Sequence, residues 1–291
     1  MRVGLVGMGR MGSAILPHLV RGCSSVTVWN RTRGKITEAE AIGARAAVSP
    51  RALVQQSDII LSILYDDAAV EQVYLGPSGL LEDGCGGRIF VEMSTIRPDT
   101  VQNLASAVSM RNAILIDAPV SGSVGPARDG KLLSLVGGPL TAFERAKPII
   151  ELFSRRIVHM GPVGSGMAMK LGIQSLIYVY WQALSEALAI GAKSGLAIQS
   201  MLEILSDSPA AISALKSKIP VITGSDQEVS FALSAAAKDL EVIHSASKFL
   251  GLSSPLNKVT LECYQRAVQT GEGEKDIAAI VRSVPSLARR T

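Results

Sequence analysis

The sequence predicts an α/β domain followed by an all-α domain, the two joined by one long helix. Three observations predict this. Short apolar runs alternate with helical patterns through the first half, the signature of a parallel sheet with helices on both faces. Strand signals stop near Gly161-Pro162-Val163-Gly164-Ser165-Gly166, and only helical segments follow. Gly166 to Ser194 then reads as a single helix of roughly 40 Å, long enough to serve as a spine. The expected domains are residues 1–162 and 163–291.

The elements follow in order. Val3 to Val6 carries too little polarity for a surface strand and reads as one buried on both faces, while Met11 to Val20 repeats apolar residues at helical spacing. Val26 to Trp29, Arg45 to Val48, Asp58 to Ile63, Arg88 to Met93 and Ala113 to Asp117 read as further short buried strands separated by helical patterns. Leu132 to Val136 adds another. Gly195 suits the cap of the long helix.

The chain has 291 residues, of which 47% are hydrophobic, enough for one large or two medium cores. Its net charge is +4, but Lys and Arg are scattered and only 4% of residues are aromatic, which argues against a nucleic-acid surface and suits a small anionic ligand. Cys23, Cys85 and Cys263 are too few and too far apart for a disulfide framework or a four-ligand zinc site, so no metal site and a reducing, cytoplasmic compartment are expected. Met1 to Val20 is not read as a signal peptide, because glycines interrupt it and cleavage would remove the first strand. Leu171 to Ala192 is the longest apolar stretch, yet Gln174, Gln182 and Glu186 recur along it, which suits burial in protein and not in a membrane.

The loop between the first strand and helix carries Gly7, Met8, Gly9, Arg10, Met11 and Gly12. At such a turn the first glycine permits a tight bend, the second lets a pyrophosphate approach, and the third lets helix and strand pack closely. The phosphates would sit on the helix N-terminus. Read alone, three glycines also fit an ordinary tight turn. After the second strand, where an NAD-binding fold usually places an acidic residue, stand Asn30, Arg31 and Thr32. Neutral, cationic and hydroxyl groups there suit a 2′-phosphate, so NADPH is favoured over NADH. A helix start with solvated charges is the alternative.

Four further stretches, with the glycine loop, make the chain resemble the β-hydroxyacid dehydrogenases, the family of 3-hydroxyisobutyrate dehydrogenase and the glyoxylate/succinic semialdehyde reductases. They are Glu92-Met93-Ser94-Thr95-Ile96, Asp117-Ala118-Pro119-Val120-Ser121-Gly122, Gly161 to Lys170, and Lys238-Asp239-Leu240 with Phe231 ahead of it. They span almost the whole chain in the family's order. The resemblance implies a Rossmann-type N-terminal domain, an all-α C-terminal domain, a long interdomain helix, and a homodimer or homotetramer built largely through the helical half. It implies cofactor contacts from Leu64, Thr95, Phe231 and Lys238, with Lys238 closing over the cofactor. A small carboxylate-bearing substrate would lie against Ser121, Gly122, Ser123 and Gln174, with Lys170 as the catalytic acid/base. The residues suit these roles: Ser121 and Gly122 offer a hydroxyl and approachable backbone N–H groups, and Lys170 shares a helix face with Gln174 four positions on. Taken without that context, the same residues read as a polar turn and a snorkelling lysine.

The chain departs from the family in four places. Gln174 stands where asparagine is common, Ser123 and Pro126 where glycine is, and Tyr65 where proline often is. These changes bear on which carbonyl is reduced. The leading expectation is an NADPH-dependent reductase of small aldehyde acids such as glyoxylate or succinic semialdehyde, or the reverse oxidation of a 3-hydroxyacid. An imine reductase is the enzymatic alternative, though those relatives generally replace the lysine, and a non-catalytic dinucleotide-binding module is the other.

Overall fold

A computed structural model describes residues 1–282, so the end of the expected second domain, 283–291, lies outside the described residues. The chain divides into two compact units, Met1–Gly172 and one that begins at Ile173.

The first unit opens with β1 (Arg2–Val6), α1 (Arg10–Gly22), β2 (Ser25–Trp29), α2 (Gly34–Ala41), β3 (Arg45–Ala46), α3 (Pro50–Gln55) and β4 (Ile59–Ser62). It continues with α4 (Asp67–Leu75), β5 (Ile89–Glu92), α5 (Pro98–Ser109), β6 (Ile114–Asp117), β7 (Val120–Ser121), α6 (Val124–Arg128), β8 (Leu132–Gly137), α7 (Leu140–Ile150) and β9 (Ser154–Gly161). One sheet holds them in the order β3-β2-β1-β4-β5-β6-β8-β7, with β9 on β8. Strands β1 to β6 are mutually parallel, and β8 runs antiparallel to β6 and β7. The chain builds outward from β1 in one direction and then from β4 in the other. The reversal places the crevice of the fold at the carboxyl ends of β1 and β4.

Alternation along each strand explains why the sheet needs helices on both sides. Val3, Leu5, Ile59, Leu61, Ile89 and Val91 enter one core with α1 and α7, whose Ile15, Leu19, Phe143 and Ile149 are buried there. Val6, Ile60 and Phe90 enter the other with Leu53, Tyr74 and Leu104 from α3, α4 and α5. Three details differ from expectation, the first being that Val120–Ser121 pairs with β8 as a short strand. Of Arg45 to Val48, only Arg45–Ala46 pairs. Strand β9 was not expected, because it pairs only with β8 and carries exposed Arg155 and Arg156, so it shows neither a buried run nor clean alternation.

The long helix is α8 (Ser165–Lys193), close to its expected span. Met167 is fully buried in a core of the first unit, and that unit runs on to Gly172 inside α8. The second unit is helical as expected, with α9 (Ile198–Asp207), α10 (Leu215–Thr223), α11 (Leu233–Phe249) and α12 (Pro255–Ala267). Its interior includes Tyr178, Trp181, Leu202, Leu240 and Tyr264. Gln174 and Gln182 are buried, and no helix among the described residues is long and apolar enough to cross a membrane.

Candidate active site

Each glycine of the first loop has its own steric reason. Gly7 has φ +98°, and a Cβ there would lie 2.2 Å from the Ile63 carbonyl oxygen. A Cβ at Gly12 would lie 1.9 Å from the Gly7 carbonyl oxygen, so only glycine lets α1 start directly on the loop. At Gly9 a Cβ would meet nothing within 4 Å. Gly9 is also the residue ahead of α1 and supplies no side-chain cap. Open space in front of a helix N-terminus fits a dinucleotide pyrophosphate. Met8 is buried, Met11 half-buried and Arg10 exposed.

Asn30 is spent on this loop. Its Oδ1 accepts the Met8 N–H at 3.0 Å, and its Nδ2 donates to the Thr32 carbonyl at 2.9 Å. Arg31 and Thr32 stay exposed beside it, with no carboxylate in the stretch.

Four positions at the carboxyl ends of neighbouring strands are partners in register: Ser62 with Glu92, Glu92 with Asp117, and Asp117 with Gly137. Sequence reasoning did not find the network built on them. The Ser62 hydroxyl donates to Glu92 Oε2 at 2.5 Å and lies 2.7 Å from the Tyr74 hydroxyl. Glu92 Oε1 accepts the Ser94 N–H at 2.7 Å, and Ser94 Oγ accepts the Leu64 N–H at 2.8 Å. Burial raises both Glu92 and Tyr74 above their ordinary ranges. The chain of bonds fixes the segments after β4 and β5, which carry Leu64 and Thr95.

At the end of β6, the buried Asp117 accepts N–H groups from Gly164 and Met167, each at 2.7 Å. Burial outweighs these donors and pushes its carboxyl up to about 6. Lys170 follows on the second turn of α8 and is half-buried. Ser121 ends β7, half-buried, and Gly122 after it has φ +131° and is exposed. Pro126 packs over Gly122, its Cβ 3.2 Å from where a glycine Cβ would be, and Ser123 leads into α6. Tyr65 is exposed on the segment after β4.

The remaining expected residues lie in the second unit and are linked there. Gln174, one turn beyond Lys170 on α8, is buried and donates from Nε2 to Asp239 Oδ2 at 2.5 Å. The Tyr178 hydroxyl donates to the same oxygen at 2.7 Å. Lys238 Nζ lies 2.5 Å from Asp239 Oδ1, and both side chains are mostly buried, so this ion pair is not the solvated surface pair that Lys-Asp usually denotes. The Tyr178 hydroxyl is held well above its ordinary range, first by burial and then by Asp239. The Phe231 ring stacks on Tyr178, centroids 6.4 Å apart. Phe231 is held in turn by Asp276, which accepts from Lys218 Nζ at 2.6 Å and from the N–H groups of Ser230 and Phe231 at 2.9 and 3.3 Å. Tyr178, Asp276 and Lys218 carry no local sequence signal. Among the described residues no three His, Cys, Asp or Glu side chains converge on a metal site.

Residues 2–161 fit the family profile described as the NAD binding domain of 6-phosphogluconate dehydrogenase. Residues 164–284 fit the profile described as NAD-binding of NADP-dependent 3-hydroxyisobutyrate dehydrogenase. The chain is similar to glyoxylate/succinic semialdehyde reductase 1 of Arabidopsis thaliana, 31% identical over 98% of both chains. It is similar to the NAD-dependent L-serine dehydrogenase of Pseudomonas aeruginosa, 30% identical over 96% of each. Its fold is that of the Mycobacterium tuberculosis 3-hydroxyisobutyrate dehydrogenase solved with L-serine, with a TM-score of 0.89, 23% identity, and coverage of 98% of this chain and 99% of that one.

Proposed function

We propose that this chain, which belongs to the 3-hydroxyisobutyrate dehydrogenase-like family of NAD(P)-dependent oxidoreductases, is an NADPH-dependent reductase of small aldehyde acids such as glyoxylate or succinic semialdehyde. The observation that carries the reading is Lys170, a half-buried cation on the second turn of the helix that starts against the carboxyl ends of β6 and β8. In a sheet of this kind ligands lie at those strand ends.

When bound, NADPH supplies the hydride that reaches the carbonyl carbon. Negative charge then grows on the carbonyl oxygen. The Lys170 ammonium stabilises that charge and gives the oxygen a proton, leaving a hydroxyacid and a neutral amine that solvent reprotonates. In the reverse direction the neutral amine takes the hydroxyl proton. The Ser121 hydroxyl and the backbone N–H groups at Gly122 and Ser123 hold the substrate carboxylate. Gln174, whose amide nitrogen donates to Asp239, is the further residue for the substrate.

Arg31 and Thr32 are the groups for the 2′-phosphate, since both are exposed and Asn30 is occupied with Met8. One relative is an NAD-dependent enzyme and one matching family profile is that of an NADP-dependent enzyme, so the preference rests on these side chains. One panel tests both halves of the reading. Free aldehyde acids, their esters and cyclic imines are assayed with NADPH and NADH on the unmutated protein and on Arg31→Ala. Free acids with NADPH are expected to give the highest kcat/KM, and Arg31→Ala to erode the NADPH preference by about 10- to 100-fold, the worth of roughly 1.5–3 kcal/mol for a charged hydrogen bond. Equal use of both cofactors rejects the NADPH assignment. Faster turnover of esters or imines moves the chain to the imine-reductase reading.

The reading includes an oligomer held through the second unit. Leu176, Ile190, Ile204, Phe249 and Leu256 expose between 65% and 76% of their surface there, apolar surface available to a second copy of the chain. Light scattering is expected to give the mass of a dimer or tetramer. A monomer mass at micromolar concentration ends this part of the proposal.

A further inference from the structure

The geometry at the start of α8 points to Asp117 as the residue that positions Lys170, an inference that rests on Lys170 being the proton donor. Asp117 is the last residue of β6 and is fully buried. Its two carboxylate oxygens divide the work: Oδ1 accepts the Gly164 N–H and Oδ2 the Met167 N–H, each at 2.7 Å. Both donors belong to the start of α8, where backbone N–H groups have no partner within the helix. Two bonds from one rigid carboxylate hold the helix end against tilting and rotation, which a single bond cannot do. A carboxylate supplies two acceptor atoms, whereas the amide of asparagine supplies one and turns an N–H at the other donor.

Close packing makes the arrangement stiff. A Cβ at Gly137 would lie 2.4 Å from Asp117 Oδ1, and one at Gly166 would lie 2.2 Å from the Leu135 carbonyl oxygen. The first turn of α8 therefore rests on the backbone of β8 with nothing between them. Lys170 stands three residues past Met167, less than one helical turn from the bonded donor. Movement of the helix start is passed on to its ammonium. A misplacement of about 1 Å at a reacting group costs on the order of 100-fold in rate.

The same carboxylate links the site to pH. Burial holds it near pH 6, and protonation replaces one acceptor with a donor that faces an N–H. Titratable groups on the elements beside it include Glu92, its register partner on β5, His159 on β9, whose Nε2 lies 2.8 Å from the Gly138 carbonyl oxygen, and Lys170 on α8.

Asp117→Asn tests the role. It is expected to lower kcat by about 10- to 100-fold with NADPH affinity unchanged. It is also expected to speed hydrogen exchange at the Gly164 and Met167 amides in the protein without cofactor. The acid limb of kcat/KM near pH 6 should vanish in this variant and persist in His159→Gln, which retains a donor for the Gly138 carbonyl. A normal kcat in folded Asp117→Asn overturns the inference, whatever the exchange rates do. Where that variant does not fold, the amide shifts of Gly164 and Met167 in the unmutated protein decide: their titration must coincide with the acid limb, and a mismatch overturns it equally. Inactive Lys170→Met beside normal Asp117→Asn rejects the positioning role alone, whereas active Lys170→Met rejects the reading beneath it.

Discussion

Lys170→Met is expected to lower the turnover number by about two to four orders of magnitude, the usual size of a general acid's contribution. Methionine has nearly the length of lysine and keeps its apolar stem, so the half-buried position stays filled and only the charge and the proton are lost. NADPH affinity should change little, because the glycine loop and the Arg31-Thr32 segment lie on other elements, the N-terminus of α1 and the end of β2. Gln174→Ala should cost less, since that amide places a group and transfers no proton. Stopped-flow measurement of hydride transfer, with a separate cofactor titration, resolves the two effects. Near-normal turnover in folded Lys170→Met protein would show that the proton comes from elsewhere, and imines that arrive already protonated would become the better substrates.

What was legible in the sequence is what is settled over short distances along the chain. The jobs of Gly7, Gly9 and Gly12 are read from a strand, a turn and a helix within one stretch, and the clashes a Cβ would make at Gly7 and Gly12 give a steric reason for glycine at those two positions. The same holds for the buried strands β1, β2, β4, β5 and β6, whose apolar runs are local facts. Lys170 is different. A lysine on a helix has no mark of its own, and only the resemblance of its surroundings to a family singled it out. The groups that fix the site are less visible still. Asp117 bonds to N–H groups 47 and 50 residues away, and Asp276 reaches Lys218 across 58. No window of sequence contains both ends of such a bond. The Glu92 network depends on the register of β4 against β5, which periodicity predicts as pairing but not as a particular partner.

The second large effect is expected on stability, at Asp276. Its carboxylate is buried and accepts from Lys218, from Ser230 through both N–H and hydroxyl, and from the Phe231 N–H, while the Phe231 carbonyl accepts the Ile277 N–H at 2.8 Å. Removing the carboxylate strands a cation and leaves these donors unpaired, which for a buried pair costs about 3–5 kcal/mol. Asp276→Ala should fall at the lower end, because Lys218 retains a path to water with 14% of its side chain exposed. Asp276→Ala with Lys218→Met should recover part of the loss, since no buried charge then remains. The pH dependence has a definite sign. Burial by itself would raise the Asp276 carboxyl, but Lys218 and the backbone donors outweigh it and hold the group below its ordinary value. A carboxyl lowered by folding contributes stability that is complete above the unfolded pKa of about 3.9 and is lost as pH falls below it. The urea midpoints of the unmutated and Asp276→Ala proteins should therefore differ most at pH 5 to 7 and converge below about pH 4. A gap that stays constant down to pH 3, or no gap at pH 7, would mean that the segment carrying Phe231 is held by something other than this carboxylate. Convergence together with a weakened NADPH affinity in Asp276→Ala would tie the clamp to the cofactor, because the Phe231 ring that it fixes stacks on Tyr178, which bonds to the same Asp239 that holds Lys238.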